Sequence, residues 1–177
     1  MTSQSIPRPR HASSDPAAIP AGRAVLPPFI RALLSTTPGS AAPVLRLTLA
    51  LVMFPHGAQK AFGVFGGYGF SGTMSFLTGH IGLPSILAAL VIAIELLAPL
   101  ALLIGVLTRP AALGLIAIMV GAIATVHAPI GFFMNWSGQQ PGEGFEYHLL
   151  VIGMAAALLA TGGGSASLDR RLASAPS

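Results

Sequence analysis

Apolar residues along this chain fall into four long runs rather than short alternating stretches. The first begins at Val44 and passes through Met53 and Phe54 into Pro55, His56 and Gly57, fading near Phe65. The second runs from Pro84 to Leu107, the third from Pro110 to Val126 and the fourth from about Phe145 to Thr161. A helix that crosses a bilayer needs about 20 residues, within a range of about 17 to 25. The second run meets that length fully. The third and fourth sit near its short limit, and the first is diluted by Arg46, His56 and Lys60. The pattern predicts an all-α, polytopic membrane protein: a four-helix transmembrane bundle with a disordered N-terminal tail.

The segments between the runs set the domain boundaries. Residues 1–43 hold eight of the fifteen prolines together with Arg8, Arg10, Arg23 and Arg31. Proline at that density interrupts helices and little apolar surface is available for burial, so the segment reads as a disordered, basic, Pro-rich cytoplasmic tail. It lacks the apolar core of a secretory signal. Val25 to Leu34 offers a short interfacial piece at most. The four-span domain then covers 44–165, and 166–177 form a short cytoplasmic C-terminal tail. Residues 63–72 contain five glycines and read as a flexible turn, because no strand and no GK[ST] ending marks a phosphate loop. Phe70, Met74, Leu77 and Ile81 follow at helical spacing and predict a short interfacial or re-entrant helix.

Composition supports the membrane reading. Only 8% of the 177 residues are charged and 53% are hydrophobic, against about 25% charged in soluble domains. Mean hydropathy is +0.77. The absence of cysteine removes disulfides, thiolate metal sites and a Cys nucleophile. A net charge of +4 comes from eight arginines and one lysine scattered along the chain, without the aromatic-interleaved basic stripe of a nucleic-acid binder. Loops rich in Lys and Arg face the cytoplasm. Placing the N-terminus inside puts Arg8, Arg10, Arg23, Arg31, Arg109, Arg170 and Arg171 on that side and leaves 127–145 free of Lys and Arg on the other. Both termini are therefore expected in the cytoplasm.

The chemistry-bearing residues are the ionisable groups within the apolar runs, which are costly there and usually pair or face the bundle interior. Glu95 sits mid-run in ALVIAIELLAPL, and His56 and Lys60 share a helix face in PHGAQK. Pro99 gives no N–H to the Glu95 carbonyl, so a carboxylate and a freed carbonyl occur together. At about 1.5 Å per residue, His56, Glu95 and His148 fall roughly 16–21 Å from the inner helix ends, and Lys60, His127 and Glu146 roughly 23–26 Å. These layers predict a polar pocket between the spans. Lys60, Glu95 and His56 are the catalytic candidates; the ligand-binding candidates are His127, Glu146, His148, Arg46 and Trp136. The bland readings stand beside these. Glu95 with Lys60 or Arg46 forms a packing ion pair, Arg46 snorkels to lipid phosphates, and Trp136 joins Phe132 and Phe133 in an interfacial aromatic belt. Three histidines at similar depth raise metal or haem ligation, but no ligand motif supports it, and no metal is assigned. Gly114 with Gly121, and Gly153 with Ala157, read as close helix contacts.

The stretches LRLTLALVMFPHGAQKAFG and IELLAPLALLIGVLTRPAAL, with GGGSASLD after the last run, resemble the DoxX family of small four-span bacterial membrane proteins. The likeness covers about residues 43–170, and its matching positions here are Arg46, Gly57, Lys60, Glu95, Gly105 and Arg109. It implies a bundle in the bacterial cytoplasmic (inner) membrane and a role as oxidoreductase or oxidoreductase subunit, in some relatives quinone-linked. The chain carries no Rossmann fingerprint and no haem-attachment motif. Any electron carrier is then a bound quinone, a flavin or haem held without a familiar motif, or a soluble redox partner protein. The leading expectation is an integral component of a quinone-linked oxidoreductase or redox/detoxification system. The alternatives are a non-catalytic membrane scaffold that recruits a soluble redox enzyme through its tail, and a small-molecule transporter.

Overall fold

A computed structural model of the chain describes residues 27–174. The bundle is built from α2 (Ala41–Phe62), α4 (Ser85–Ile104), α5 (Thr108–Ala122) and α6 (Glu146–Thr161). The short helices α1 (Pro28–Leu34), α3 (Gly69–Ser75) and α7 (Leu168–Ala173) complete the order, and the described residues contain no strand. The four long helices run up and down in sequence. Each packs on its neighbours, and α2 closes the ring against α6. π-turns extend α3 over Phe76–His80 and α5 over Ile123–His127.

Three of these helices, Ala41–Phe62, Ser85–Ile104 and Thr108–His127, are long and apolar enough to cross a membrane, and Glu146–Thr161 is a shorter apolar helix. At about 1.5 Å per residue the 20-residue helices span about 30 Å, the thickness of a bilayer core. Leu49, Met53, Leu102, Leu115 and Leu158 fill the interior, whereas Leu51, Ile86, Leu97 and Leu150 point outward. Apolar side chains on both faces are what a helix needs when its solvent is lipid. The protein is therefore an all-helical membrane protein with a four-helix bundle.

Small residues set the helix approach in some of the expected places and not in others. A Cβ on Gly114 would lie 2.8 Å from Cγ2 of Ile94, so this glycine permits the α4–α5 contact; Gly121 and Gly153 face open space and make none.

One end of the bundle, here the basic end, is closed by a polar knot. Arg46 is only 2% exposed. Its guanidinium donates to the carbonyls of Leu102 (2.7 Å) and Leu103 (3.3 Å) at the end of α4, and to those of Gly163 (2.9 Å) and Ala166 (2.7 Å). Carbonyls at a helix C-terminus are unpaired and carry partial negative charge, so a buried cation satisfies both needs. Arg46 consequently does not snorkel, and its nitrogens are spent on backbone rather than on a ligand. The expectation failed because distance from a helix end says nothing about which carbonyls converge there. Gly105 ends α4 at φ +70°, and a Cβ on it would lie 2.6 Å from Nη1 of Arg46. Leu107 then adopts a left-handed φ of 50°, an unfavourable choice for leucine. Buried Asp169 offsets it by accepting from the N–H groups of Leu107 (2.7 Å) and Thr108 (2.9 Å), which caps α5 from a distant part of the chain.

The expected tail meets this knot. The disorder expected for 1–43 lies outside the described residues over 1–26. Within 27–43, however, Pro28 opens a helix, as proline at a first helical position readily does. Thr37 N–H then donates to Thr161 O (2.8 Å), and Gly39 N–H to Ser165 Oγ (2.8 Å). Arg109 donates to Leu159 O (2.7 Å) and Ser35 O (3.2 Å) from the same end.

Arg46→Lys replaces a five-donor fork by a point charge and strands buried carbonyls. It should lower unfolding stability in detergent micelles by about 2–3 kcal/mol. Arg171→Lys, at an exposed position, should stay within about 0.5 kcal/mol. Equal effects would contradict the knot.

Candidate functional site

The opposite end, here the loop end, gathers most of the remaining ionisable groups. Its geometry starts from the backbone. Pro55 lies inside α2 and Pro99 inside α4. Gly57 faces α4 so closely that a Cβ there would overlap the Glu95 carbonyl, with Cα of Leu96 only 2.7 Å away. The carbonyl that Pro99 leaves without its helical partner is thus covered by α2. The close crossing also sets the reach of the neighbouring side chains. Nζ of Lys60 lies 2.7 Å from Oε2 of Glu95, with the lysine side chain 34% exposed and the carboxylate side chain 4%. The approach is off the hydrogen-bonding direction, so Oε2 has an ionic partner but no hydrogen bond. Among the described residues this is the single salt bridge, and the partner of Glu95 is Lys60 rather than Arg46.

A cavity of about 470 Å³ opens beside Lys60, lined by Gln59, Lys60, Gly66, Gly67, Tyr68, Gly72, Thr73 and Phe76. The glycine segment read as a flexible turn forms its wall. Gly67 sits against the Gln59 backbone where no side chain fits. Gln59 Nε2 donates to Phe65 O (3.0 Å), and Thr73 Oγ1 to Lys60 O (3.3 Å). The loop is therefore fastened to the last turn of α2.

Most of the other candidates adjoin the Lys60–Glu95 pair in one chain of rings. It runs from His56, one turn from Lys60 on α2, through Tyr147 to His148, 5.7 Å away, and on to His127, while Glu146 and Trp136 pair apart from it. His127 and His148 stand with ring centroids 4.1 Å apart. His127 Nδ1 is 2.7 Å from Glu143 O, and Nδ1 of buried His148 has no partner. His56 lies 6.0 Å from the ring of Tyr147, whose hydroxyl donates to Met53 Sδ (3.2 Å). Glu146 organises the loop after α5: its Oε1 accepts from Met134 N–H (2.8 Å) and from Nε1 of Trp136 (3.3 Å). Trp136 is otherwise 87% exposed, as an interfacial aromatic is. No group of three metal-ligating side chains occurs among the described residues. Sequence reasoning passed over Tyr147, Gln59 and Thr73. Tyr147, between Glu146 and His148, carried a usable signal; Gln59 and Thr73 become visible only once the glycine loop folds back.

The Lys60–Glu95 contact generates an asymmetric expectation. Lys60→Met leaves Glu95 without its counter-charge in an apolar crossing and should cost about 3 kcal/mol of stability in micelles. Glu95→Gln should cost less, about 1–2 kcal/mol, because a one-third exposed ammonium finds water at the cavity. Lys60→Met combined with Glu95→Gln should cost clearly less than the sum of the two single changes, and additive effects in this cycle would refute the pairing.

Comparison with known proteins places this geometry. The chain is 32% identical over 126 residues to a protein of Bacillus subtilis (strain 168) named "Putative oxidoreductase CatD", covering 71% of this chain and 82% of that protein. No solved structure matches the chain. The family model for DoxX matches residues 41–128, a span that contains Arg46, Gly57, Lys60, Glu95, Gly105 and Arg109. With that match and the relative covered over most of its length, the chain belongs to the DoxX family.

Proposed function

We propose that this protein is an integral component of a quinone-linked membrane oxidoreductase or redox/detoxification system, and that the cavity beside Lys60 takes the quinone head group. The observation that carries the reading is the position of Lys60, which contributes to the wall of the cavity and holds Glu95 at 2.7 Å. A volume of about 470 Å³ falls in the range of small-molecule sites, about 300–1,000 Å³. Tyr68 and Phe76 supply aromatic faces for a flat ring. The Lys60 ammonium donates a hydrogen bond to a ring carbonyl oxygen and stabilises negative charge there as electrons arrive. Reduction of a quinone to a quinol takes two electrons and two protons. Each of the two protons passes from the Lys60 ammonium to a reduced ring oxygen, and the lysine, 34% exposed at the cavity, is reprotonated from water while the Glu95 carboxylate favours its charged form. The electrons come from a soluble redox protein at the membrane surface, and the name of the Bacillus subtilis relative supports a redox role.

His56, Glu146, Trp136 and the His127–His148 pair then act around the site, while Arg46 shapes the bundle. In the same proposal the basic end faces the cytoplasm. Arg31, Arg109, Arg170 and Arg171 all belong to elements packed at that end, in keeping with the charge bias of inward loops.

Extraction of protein purified in mild detergent should yield a bound quinone. Lys60→Ala, which removes a hydrogen bond to developing charge, should slow quinone reduction by membranes about 100-fold or more, and Glu95→Gln, which removes the counter-charge that favours the Lys60 ammonium, about tenfold. Protein that binds no quinone, with both variants leaving quinone reduction unchanged, refutes the proposal.

A further inference from the structure

The basic end carries an exposed surface with no role in the redox reading. The short helices α1 and α7 pack against each other there. α1 buries Leu34 and turns Phe29 and Leu33 outward, 66% and 41% exposed and one helical turn apart. α7 buries Asp169 and turns Leu168 and Leu172 outward, again one turn apart. Arg31 lies two residues from Phe29 and so on the opposite side of α1, and Arg170 opposes Leu168 on α7 while Arg171 flanks it. Each helix thus has an apolar edge and a cationic edge, the build of a helix lying in a membrane interface.

Charge complementarity identifies the partner. Arg31 and Arg171 are exposed and Arg170 is partly so. Asp169 is the one described acid at this end, and its carboxylate is buried and committed to the Leu107 and Thr108 N–H groups. The other described acids, Glu95, Glu143 and Glu146, lie towards the loop end. Among the described residues the arginines therefore have no acid beside them that is free to neutralise them, and apolar side chains lie next to them. We propose that α1 and α7 together bind an anionic phospholipid, with Arg31 and Arg171 on the headgroup phosphate and Phe29, Leu33, Leu168 and Leu172 against its chains. A guanidinium fork suits a phosphate group in particular. Bound this way, the lipid ties the segment before α2 to the segment after α6 and reinforces the Arg46–Asp169 knot above them.

The test uses the full chain in nonionic detergent, with phosphatidylglycerol and phosphatidylcholine of identical acyl chains as probes. Saturating phosphatidylglycerol should raise the Tm by roughly 5–10 °C, and the lipid should remain bound in native mass spectra; phosphatidylcholine should do neither. R31Q/R171Q should weaken phosphatidylglycerol binding about 25-fold, from about fivefold per arginine, with the Tm in detergent alone unchanged. An equal response to both lipids overturns the proposal, as does a double variant that keeps the preference. A Tm rise produced equally by inorganic phosphate also overturns it, since the site would then serve a soluble anion. Should the double variant fold poorly, salt decides: affinity of the unaltered protein that falls as NaCl rises supports the arginine contacts, and salt-independent affinity overturns them.

Discussion

At Gly57 the backbone of α2 lies on the Glu95–Leu96 backbone of α4, a proximity that a single methyl group would abolish. Lipid gives helices no hydrophobic incentive to associate, so close packing and polar pairing must hold them together. This crossing supplies both. It seals the carbonyl left free by Pro99, and it brings an ammonium to a carboxylate that would be intolerable alone in an apolar environment. The cavity depends on the same contact. Lys60 is held between Glu95 and the cavity only because α2 and α4 meet where they do, and the glycine loop fastens to the final turn of α2 through Gln59 and Thr73.

The two ends of the bundle divide the work. The basic end spends its polar groups on backbone: Arg46 on four carbonyls and Asp169 on two N–H groups. Gly105 and Leu107 adopt left-handed conformations that serve this closure. The loop end keeps polar groups in reserve. Nδ1 of His148 is buried there without a hydrogen-bond partner and Oε2 of Glu95 has only the Lys60 ammonium, while at the basic end Oγ1 of Thr108 is likewise without a partner.

The bundle was legible in the sequence because apolar run length and bilayer thickness are one constraint. The Glu95–Lys60 pair was legible for a related reason: a carboxylate in the middle of an apolar helix needs a cation, and few were within reach. Arg46 was misread because its partners are backbone carbonyls, which leave no trace in residue identity. Glu146 and Trp136 bind each other across a loop whose path hydropathy does not encode. The cavity depends on glycines doing opposite things. Gly67 permits close packing on Gln59, while Gly66 has only open space around it. Composition alone reads both as flexibility. Pro27 and Pro28 signalled disorder by density, yet at the start of a helix proline is favourable, and α1 begins there.

Both the helix crossing and the cavity require Lys60 and Glu95 to be ion-paired beside Gly57 in a bilayer. Solid-state NMR can measure the dipolar coupling between ¹⁵Nζ of Lys60 and ¹³Cδ of Glu95 in the protein reconstituted in lipid. A strong coupling, as an Nζ–Oε2 distance of 2.7 Å requires, that disappears in Gly57→Leu is the predicted result. Well-resolved signals from both groups with no coupling between them would contradict it.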